Sequence, residues 1–142
     1  MKRLLKRINN FFILTARQRR LILFVFWLSI YRNVLLVLKS KKAFSEHIYK
    51  NQEFKIVLTI EKIAIAKDIA IAINIVNKYV PWKNVCRHQS WQAVYLLLKY
   101  QISFQYCVGV DKTIEVKEAH SWVKVNSKFI CGKCDEKKYF LV

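Results

Sequence analysis

The first organised segment of the chain is an apolar stretch from Leu21 to Leu38, interrupted by polar residues at Ser29, Arg32 and Asn33. Such a stretch predicts a helix. A membrane-spanning helix needs about 20 apolar residues with few charges, whereas Arg32 lies inside this stretch and basic residues flank both of its ends. Flanks of equal charge give a span no preferred orientation. We therefore predict a core helix covered by the rest of the domain. Docking of this helix on a membrane or a partner is the alternative, and a span is least favoured.

The second segment, Lys55 to Tyr79, alternates Ile with Ala, which by itself suits either a strand or a helix. Its polar residues recur at intervals that place them on one side of a helix, namely Glu61, Lys67, Asp68, Asn74 and Lys78. We therefore predict a helix, which ends before Pro81 because proline pushes the preceding residue out of helical conformation. A further helix is predicted from Cys86 to Tyr100, with Asn84 as its N-cap.

After Tyr100 the pattern changes to short runs rich in Val, Ile, Phe and Tyr, which predict β-strands. The predicted strands are Ser103–Val110, Thr113–Val116, His120–Val125 and Lys128–Cys131. Asp111-Lys112 and Asn126-Ser127 supply two-residue turns, which join antiparallel neighbours. Helices followed by a small antiparallel sheet predict an α+β fold.

The composition indicates a folded domain, because 54% of the 142 residues are apolar and 14% are aromatic, enough to bury a core. A disordered chain is excluded. Two Gly and one Pro favour long helices over a many-turned sandwich or barrel. We predict a single domain over residues 1–142, with a helical, basic and apolar region at 1–79 and the candidate catalytic residues in a core at 80–142.

The net charge of +17 indicates an acidic partner surface, which nucleic acid, anionic lipid or an acidic peptide would provide. Residues 1–42 hold 11 basic and no acidic residues, so most of the excess positive charge lies in the N-terminal part of the chain. Nucleic-acid binding would favour aromatic residues interleaved with basic ones on strands, but the N-terminal aromatic residues lie in apolar helical runs. No nucleic-acid partner is therefore expected, and a non-enzymatic basic binding module is kept as an alternative.

Four cysteines without a cleavable signal peptide indicate a reducing compartment, where thiols stay free for catalysis or metal binding. We expect a cytoplasmic protein, with membrane association through residues 21–38 as an option. Cys131 and Cys134 form a CxxC pair, which together with Cys86 and His88 would make a four-ligand zinc site. A sequence indicates a zinc site strongly only when it contains two CxxC-like pairs. We therefore interpret Cys131–Cys134 as an ordinary turn and expect neither a metal nor a cofactor.

Cys86 and His120 are the residues on which enzyme chemistry would depend. A cysteine in the first turn of a helix has its thiolate stabilised by free backbone N–H groups and by the helix dipole, and Arg87 adds positive charge. A histidine on a neighbouring strand can take the thiol proton and later give it to the leaving amine. Such a pair alone is weak evidence, because most cysteines and histidines are ordinary core or surface residues.

The segment from Pro81 onward resembles the lasso peptide leader peptidases, a branch of the transglutaminase-like cysteine hydrolases. That family carries Pro-Trp, a nucleophilic Cys that opens a helix with Ser four residues later, a Gly-Val strand, and His-(Ala/Ser)-Trp-Val. The residues in register are Pro81, Trp82, Cys86, Ser90, Leu96, Leu97, Gly109, Val110, His120, Trp122 and Val123. The motifs cover residues 81–126, and their combination in this order is fairly specific.

The resemblance implies a transglutaminase-like, papain-like core and a cysteine protease that removes the leader from a ribosomally made lasso peptide precursor before macrolactam closure. It implies that Cys86 attacks the peptide bond and that His120 transfers protons. In the family an Asp about twelve residues after the His orients the imidazole, and that position is Gly132 in this chain. We nominate Asp135, the nearest acid downstream, with a shifted turn or a missing third member as alternatives.

The resemblance also implies partners. The substrate is the precursor peptide, and a separate leader-binding protein is expected, because 142 residues leave no room for the fused recognition domain of some relatives. An ATP-dependent macrolactam synthetase that receives the product is the second expected partner. The alternative activity is that of another amide hydrolase or acyl transferase of the superfamily.

Overall fold

The computed structural model of the protein describes residues 11–38, 58–112 and 119–141. Its long helices are α1 (Ala16–Val37), α2 (Ile60–Tyr79) and α3 (Cys86–Lys99). Its strands are β1 (Gln105–Asp111), β2 (Ala119–Val125), β3 (Lys128–Cys131) and β4 (Tyr139–Leu141), with a 3-10 turn at Glu136–Lys138. Helices precede a small antiparallel sheet, so the predicted α+β class is confirmed.

α1 begins before the apolar stretch that predicted it, because Thr15 caps its first turn. The Thr15 side chain accepts the N–H of Gln18, and the Gln18 side chain accepts the N–H of Thr15, which together form a capping box. One face of α1 packs towards α2 and α3 and is buried at Leu21, Ile22, Val25 and Leu28. The opposite face is exposed, so the prediction of a covered core helix holds for one face of α1.

Asp68 links α2 to α1 from the predicted polar side of α2. Its carboxylate accepts hydrogen bonds from Arg17 Nε at 2.6 Å and from Gln18 Nε2 at 2.8 Å. Asp68 is buried on this side of the helix, and the two donors from α1 compensate the burial of its charge. The other polar residues of that side are exposed, namely Glu61, Lys67, Asn74 and Lys78.

The end of α2 lies where the proline predicts it. Val80, the residue before Pro81, has extended backbone angles of φ −73° and ψ 139°. Thr59 caps the start of α2 by accepting the N–H of Lys62 at 3.3 Å, so the helix is shorter at this end than predicted. The first residues of the predicted helix, 55–57, lie outside the described residues.

The four strands form one antiparallel sheet in the order β3-β2-β1-β4. Asn126-Ser127 joins β2 to β3 with φ angles of 47° and 62°, both positive as a type I′ turn requires. The prediction of this turn is confirmed. β1 pairs along β2, with Gly109 opposite His120 and Cys107 opposite Trp122.

The region that follows β1 differs from the prediction. Asp111 belongs to β1 and pairs with Tyr139 of β4, so the two-residue turn expected at Asp111-Lys112 is wrong. The Lys112 N–H continues this pairing by donating to the Lys138 carbonyl at 2.9 Å. The predicted strand Thr113–Val116 lies outside the described residues.

The hydrophobic core lies between the sheet and the helices. α3 contacts β2 and β3, while α2 contacts β3 and α3. Buried side chains come from each of these elements, namely Ile69, Ile73, Val94, Leu97, Val123 and Ile130. This packing holds α3 against β2, the two elements that carry the candidate catalytic residues.

Candidate active site

Cys86 is the first residue of α3 and is half-buried. Val85 is the N-cap and its side chain makes no capping hydrogen bond, so the prediction of Asn84 as the cap is wrong. Asn84 is buried instead, and its carbonyl accepts a hydrogen bond from Gln89 Nε2 at 2.7 Å. The first turn of α3 thus keeps its N–H groups free of a side-chain cap from residue 85, and the positive end of the helix dipole lies at the thiol.

The connector before Cys86 is tied to α1 through Trp82. The Trp82 indole Nε1 donates to Ser29 Oγ at 2.7 Å, and its ring centroid lies 6.0 Å from that of Phe26. Because Ser29 is buried, this hydrogen bond satisfies a polar group inside the protein. The Pro-Trp pair therefore fixes the path by which the chain enters α3.

Ser90, one turn after Cys86, joins α3 to the sheet. It is fully buried, and its Oγ lies 3.2 Å from Ser121 Oγ and 3.7 Å from Cys131 Sγ. Ser121 directly follows His120 in β2. The Ser90–Ser121 contact therefore brings the elements that carry the two predicted catalytic residues together near those residues.

His120 is held by aromatic rings and by a backbone carbonyl. Its ring stacks on Trp122 with centroids 5.9 Å apart and contacts Tyr139 at 5.5 Å. His120 Nε2 lies 2.9 Å from the carbonyl oxygen of Gly132. Because a carbonyl can only accept, Nε2 carries the proton in this contact, and Nδ1 of the neutral ring keeps its lone pair. Nδ1 is thus the atom of His120 that can act as a base.

Gly132 stands where the leader peptidases carry an aspartate, and the local backbone excludes a side chain there. Its φ is +67°, and an added Cβ would collide with the carbonyl oxygen of Ser121 and lie 2.9 Å from Trp122 Cα. Glycine adopts this left-handed conformation without steric cost. The main-chain carbonyl of Gly132 therefore makes the contact to His120 that an aspartate would make.

Asp135, the acid nominated from the sequence, lies at the N-cap of the 3-10 turn. It is exposed, and its side chain accepts the N–H of Lys137 at 3.3 Å. The group that contacts His120 Nε2 is the Gly132 carbonyl. We therefore assign the orienting contact to Gly132 rather than to Asp135, in agreement with the alternative of a missing third side chain.

Glu136 is a positioning residue that sequence reasoning missed. Its Oε1 accepts hydrogen bonds from Trp122 Nε1 and from Lys124 Nζ, each at 2.7 Å. The Lys124 ammonium, and after it the Trp122 indole, lower the pKa of the Glu136 carboxyl below its ordinary value. Because Trp122 stacks on His120, this carboxylate helps to hold the wall of the site. Strand alternation places His120, Trp122 and Lys124 on one face of β2. This alternation is the feature of the sequence that could have indicated a shared partner for Trp122 and Lys124.

A cleft of about 510 Å³ has His120 in its wall. Other wall residues come from α2, from Gln89 on α3 and from residues 129–133, and include the apolar side chains of Ile71, Ile73 and Phe129. Ligand sites are commonly clefts of this size, mostly apolar with a few polar groups. The cleft thus has the size of a ligand site and borders the candidate base, whereas Cys86 is not among its wall residues.

A comparison with protein families matches residues 31–142 to the transglutaminase-like superfamily. The chain belongs to this superfamily. Searches of curated proteins and of solved structures found no match. Members of the transglutaminase-like superfamily are usually enzymes with Cys, His and Asp, of the cysteine protease or acyltransferase type. The match begins within α1, so part of the helical region predicted at 1–79 belongs to the family domain.

Burial disfavours ionisation of the other three thiols of this transglutaminase-like domain. It raises the pKa of Cys131 to about 12. It also raises the pKa of Cys107, and it raises that of Cys134 with the help of the neighbouring Glu136 and Asp135 carboxylates. Thiols with raised pKa values are poor nucleophiles near neutral pH because the thiolate is the reactive form.

We expect iodoacetamide to alkylate Cys86 before the other three cysteines at about pH 7. Cys86 is half-buried at a helix start, while the pKa values of the other three thiols are raised. Mass spectrometry of tryptic peptides over a time course measures each rate. His120→Ala is expected to slow alkylation of Cys86 and to leave that of Cys134 unchanged. Equal rates for Cys86 and Cys134 in the wild type would contradict the assignment.

The two cysteines of the CxxC pair do not form a metal site with other described residues. Cys131 is buried against Ser90, whereas Cys134 is half-buried in the segment that leads to the 3-10 turn. Within residues 11–38, 58–112 and 119–141, no group of three or more His, Cys, Asp and Glu side chains is arranged to hold a metal ion. The zinc-stabilised alternative therefore finds no support in the part of the chain that is described.

His88 lies beside two arginines near the start of α3. Burial, and after it the charges of Arg32 and Arg87, lower the pKa of His88 from 6.5 to about 4. Burial, and after it the charge of Arg87, lower the pKa of the Arg32 guanidinium to about 9. The imidazole of His88 is therefore neutral in the folded domain at neutral pH.

Acidification is expected to destabilise the domain through His88. The unfolded chain protonates this imidazole as the pH falls through 6.5, whereas the folded chain does so at about 4. The unfolded state binds more protons between these values, so stability present above pH 6.5 is lost as the pH falls towards 4. Urea unfolding at about pH 7 and about pH 5 tests this. His88→Gln should lose less stability than the wild type over that interval, and an equal loss would contradict the prediction.

Proposed function

We propose that the protein is a thiol peptidase that removes the leader from a ribosomally made lasso peptide precursor. The contact between His120 Nε2 and the Gly132 carbonyl carries the proposal, because it leaves Nδ1 of His120 as a proton acceptor. The contact between Ser90 and Ser121 holds the strand of His120 against the helix that begins at Cys86. Membership of the transglutaminase-like superfamily supports thiol chemistry at Cys86. The leader peptidase motifs between Pro81 and Val123 support the class of substrate.

In the proposed reaction, the Cys86 thiol gives its proton to His120 Nδ1, and the thiolate attacks the carbonyl carbon of the bond between leader and core. The peptide C–N bond then breaks, His120 returns the proton to the leaving amine, and a thioester remains on Cys86. Water deprotonated by His120 hydrolyses the thioester and releases the leader as a carboxylic acid. The backbone N–H of Cys86 is the candidate donor to the oxyanion.

The partners belong to the same proposal. The precursor would lie in the cleft beside His120, where side chains such as Ile73 and Phe129 offer apolar contacts. A separate leader-binding protein would present the leader, and an ATP-dependent macrolactam synthetase would receive the freed core peptide.

The test mixes the purified full chain with a lasso peptide precursor and a leader-binding protein, both sought among the genes that neighbour its own. Liquid chromatography with mass spectrometry is expected to show cleavage at one bond, with leader and core released in equal amounts. Cys86→Ala is expected to release neither product. Cys107→Ala is the matched control, since its half-buried thiol lies in β1 and is expected to be catalytically silent.

Three results would overturn parts of the proposal. Cleavage that persists in Cys86→Ala would exclude this cysteine as the nucleophile. A precursor left intact by folded wild-type protein would exclude leader removal. Added glycine methyl ester joined to the leader, in place of free leader acid, would identify an acyl transferase instead.

A further inference from the structure

α1 presents an exposed apolar face opposite its buried residues, which we name the outer face. Its side chains recur at helical spacing, namely Leu23, Phe26, Trp27, Tyr31, Val34 and Val37. At the edge of this face, Leu23 and Phe26 also line a cavity with Ile75 and Tyr79 of α2. Trp27 is 65% exposed and Leu23 is 61% exposed. Scattered apolar side chains are normal on a protein surface, whereas a contiguous stripe over about four turns marks an interaction surface.

The aromatic content of the outer face is typical of a helix at a membrane interface. Phe26, Trp27 and Tyr31 follow one another within two turns of α1 and are all exposed. Trp and Tyr are enriched where a bilayer meets water, because their rings are apolar while their N–H and O–H groups are polar. The apolar rings of the outer face can therefore enter the acyl region while their N–H and O–H groups stay at the level of the lipid headgroups.

Basic residues flank the outer face in the sequence. Arg19 and Arg20 precede it within α1, and Lys39, Lys41 and Lys42 follow α1 in the sequence. Residues 1–42 contain no acidic residue that would repel an anionic surface. An apolar centre between basic ends complements a bilayer with anionic headgroups, which attract Lys and Arg.

The buried face of α1 decides how the helix would meet a bilayer. α1 has 22 residues and is long and apolar enough to span a membrane. However, Leu21, Val25 and Leu28 are buried within the domain, and Arg32 is buried on the same face. A helix packed in this way along its length cannot be surrounded by lipid. It therefore meets lipid with one face, and the helix axis lies parallel to the membrane surface.

We propose that the outer face of α1 binds an anionic lipid bilayer at the boundary between headgroups and acyl chains. Arg19 and Arg20, at the N-terminal end of the face, then lie near the phosphates. Phe26 contacts both the lipid and Trp82, which fixes the connector to Cys86. A docked protein thus has the chain that leads into its candidate nucleophile anchored on the membrane-bound helix.

The experiment is flotation of the full chain with vesicles of phosphatidylcholine alone and of phosphatidylcholine mixed with phosphatidylglycerol. We expect binding to the mixed vesicles, weak binding to phosphatidylcholine alone, and a decrease in affinity at high salt. The double variant Leu23→Glu with Trp27→Glu should bind mixed vesicles at least about tenfold more weakly. The control with the same charge change is Ile60→Glu with Leu141→Glu, two exposed apolar residues outside α1, and it should bind as the wild type does.

Other occupants of the outer face would give different results. Failure of the wild type to float with mixed vesicles would overturn the proposal, as would equal loss of binding in the control variant. Sedimentation that shows a dimer dissociated by Leu23→Glu with Trp27→Glu would identify a second copy of the chain as the occupant. Circular dichroism checks that each variant is folded. Precursor cleavage in the absence of lipid is scored separately, so failure of one proposal is distinguishable from failure of the other.

Discussion

Replacement of His120 by alanine should lower kcat/KM for precursor cleavage by about 10³-fold, since general acid–base catalysis contributes roughly 10²–10⁴-fold. Without the imidazole, no group takes the proton of the Cys86 thiol or returns one to the leaving amine. Initial rates measured against precursor concentration give the ratio. Because the ring also packs on Trp122 and Tyr139, circular dichroism and His120→Gln control for loss of structure.

Asp135→Asn supplies the contrast to the His120 variant. It is expected to change kcat/KM by no more than about threefold, because the Asp135 side chain accepts a hydrogen bond from the Lys137 N–H in an exposed turn. The contact between His120 Nε2 and the Gly132 carbonyl stays intact in this variant. A loss as large as that of His120→Ala would return the orienting role to Asp135.

Gly132→Ala should lower the free energy of unfolding by about 3 kcal/mol, since a strained backbone conformation and a forced backbone shift each cost roughly 1–3 kcal/mol. Gly132 has a φ of +67°, and the new methyl group would collide with the Ser121 carbonyl oxygen. β3 must therefore move away from β2, and the contact to His120 weakens with it. Urea unfolding followed by tryptophan fluorescence measures the change.

Lys133→Ala is the matched control for Gly132→Ala, because Lys133 is the next residue and is exposed. Exposed substitutions of this kind usually change stability by no more than about 0.5 kcal/mol. Gly132→Asp introduces the carboxylate that the resemblance to leader peptidases implies at this position, yet it should lose both stability and activity. Wild-type stability in Gly132→Ala, or increased activity in Gly132→Asp, would contradict the steric argument.

Elements with strong local signals could be predicted from the sequence. β3 has the predicted bounds, Lys128–Cys131, because the Asn126-Ser127 turn fixes where pairing begins. α3 begins at Cys86 as predicted, since Pro81 ends the preceding helix nearby. In each case the determining residues lie within a few positions of the element that they shape.

Features that depend on distant partners could not be predicted. The burial of Asp68 requires Arg17, which lies 51 positions earlier in the chain. The role of Glu136 requires its contacts with Trp122 and Lys124 across the fold. The same distinction holds for the candidate site. Cys86 and His120 could be nominated because their residue types reveal reactive side chains. The carbonyl of Gly132 could not be nominated, because every residue has a main-chain carbonyl.

The atom that orients His120 belongs to the main chain, and this shapes what genetics can detect. No single substitution deletes a carbonyl oxygen, so an alanine scan would not remove the group that contacts His120 Nε2 and would detect Gly132 only because the position tolerates no side chain. The side chains of residues 133–135 affect this contact only through the path that they give to the backbone of Gly132.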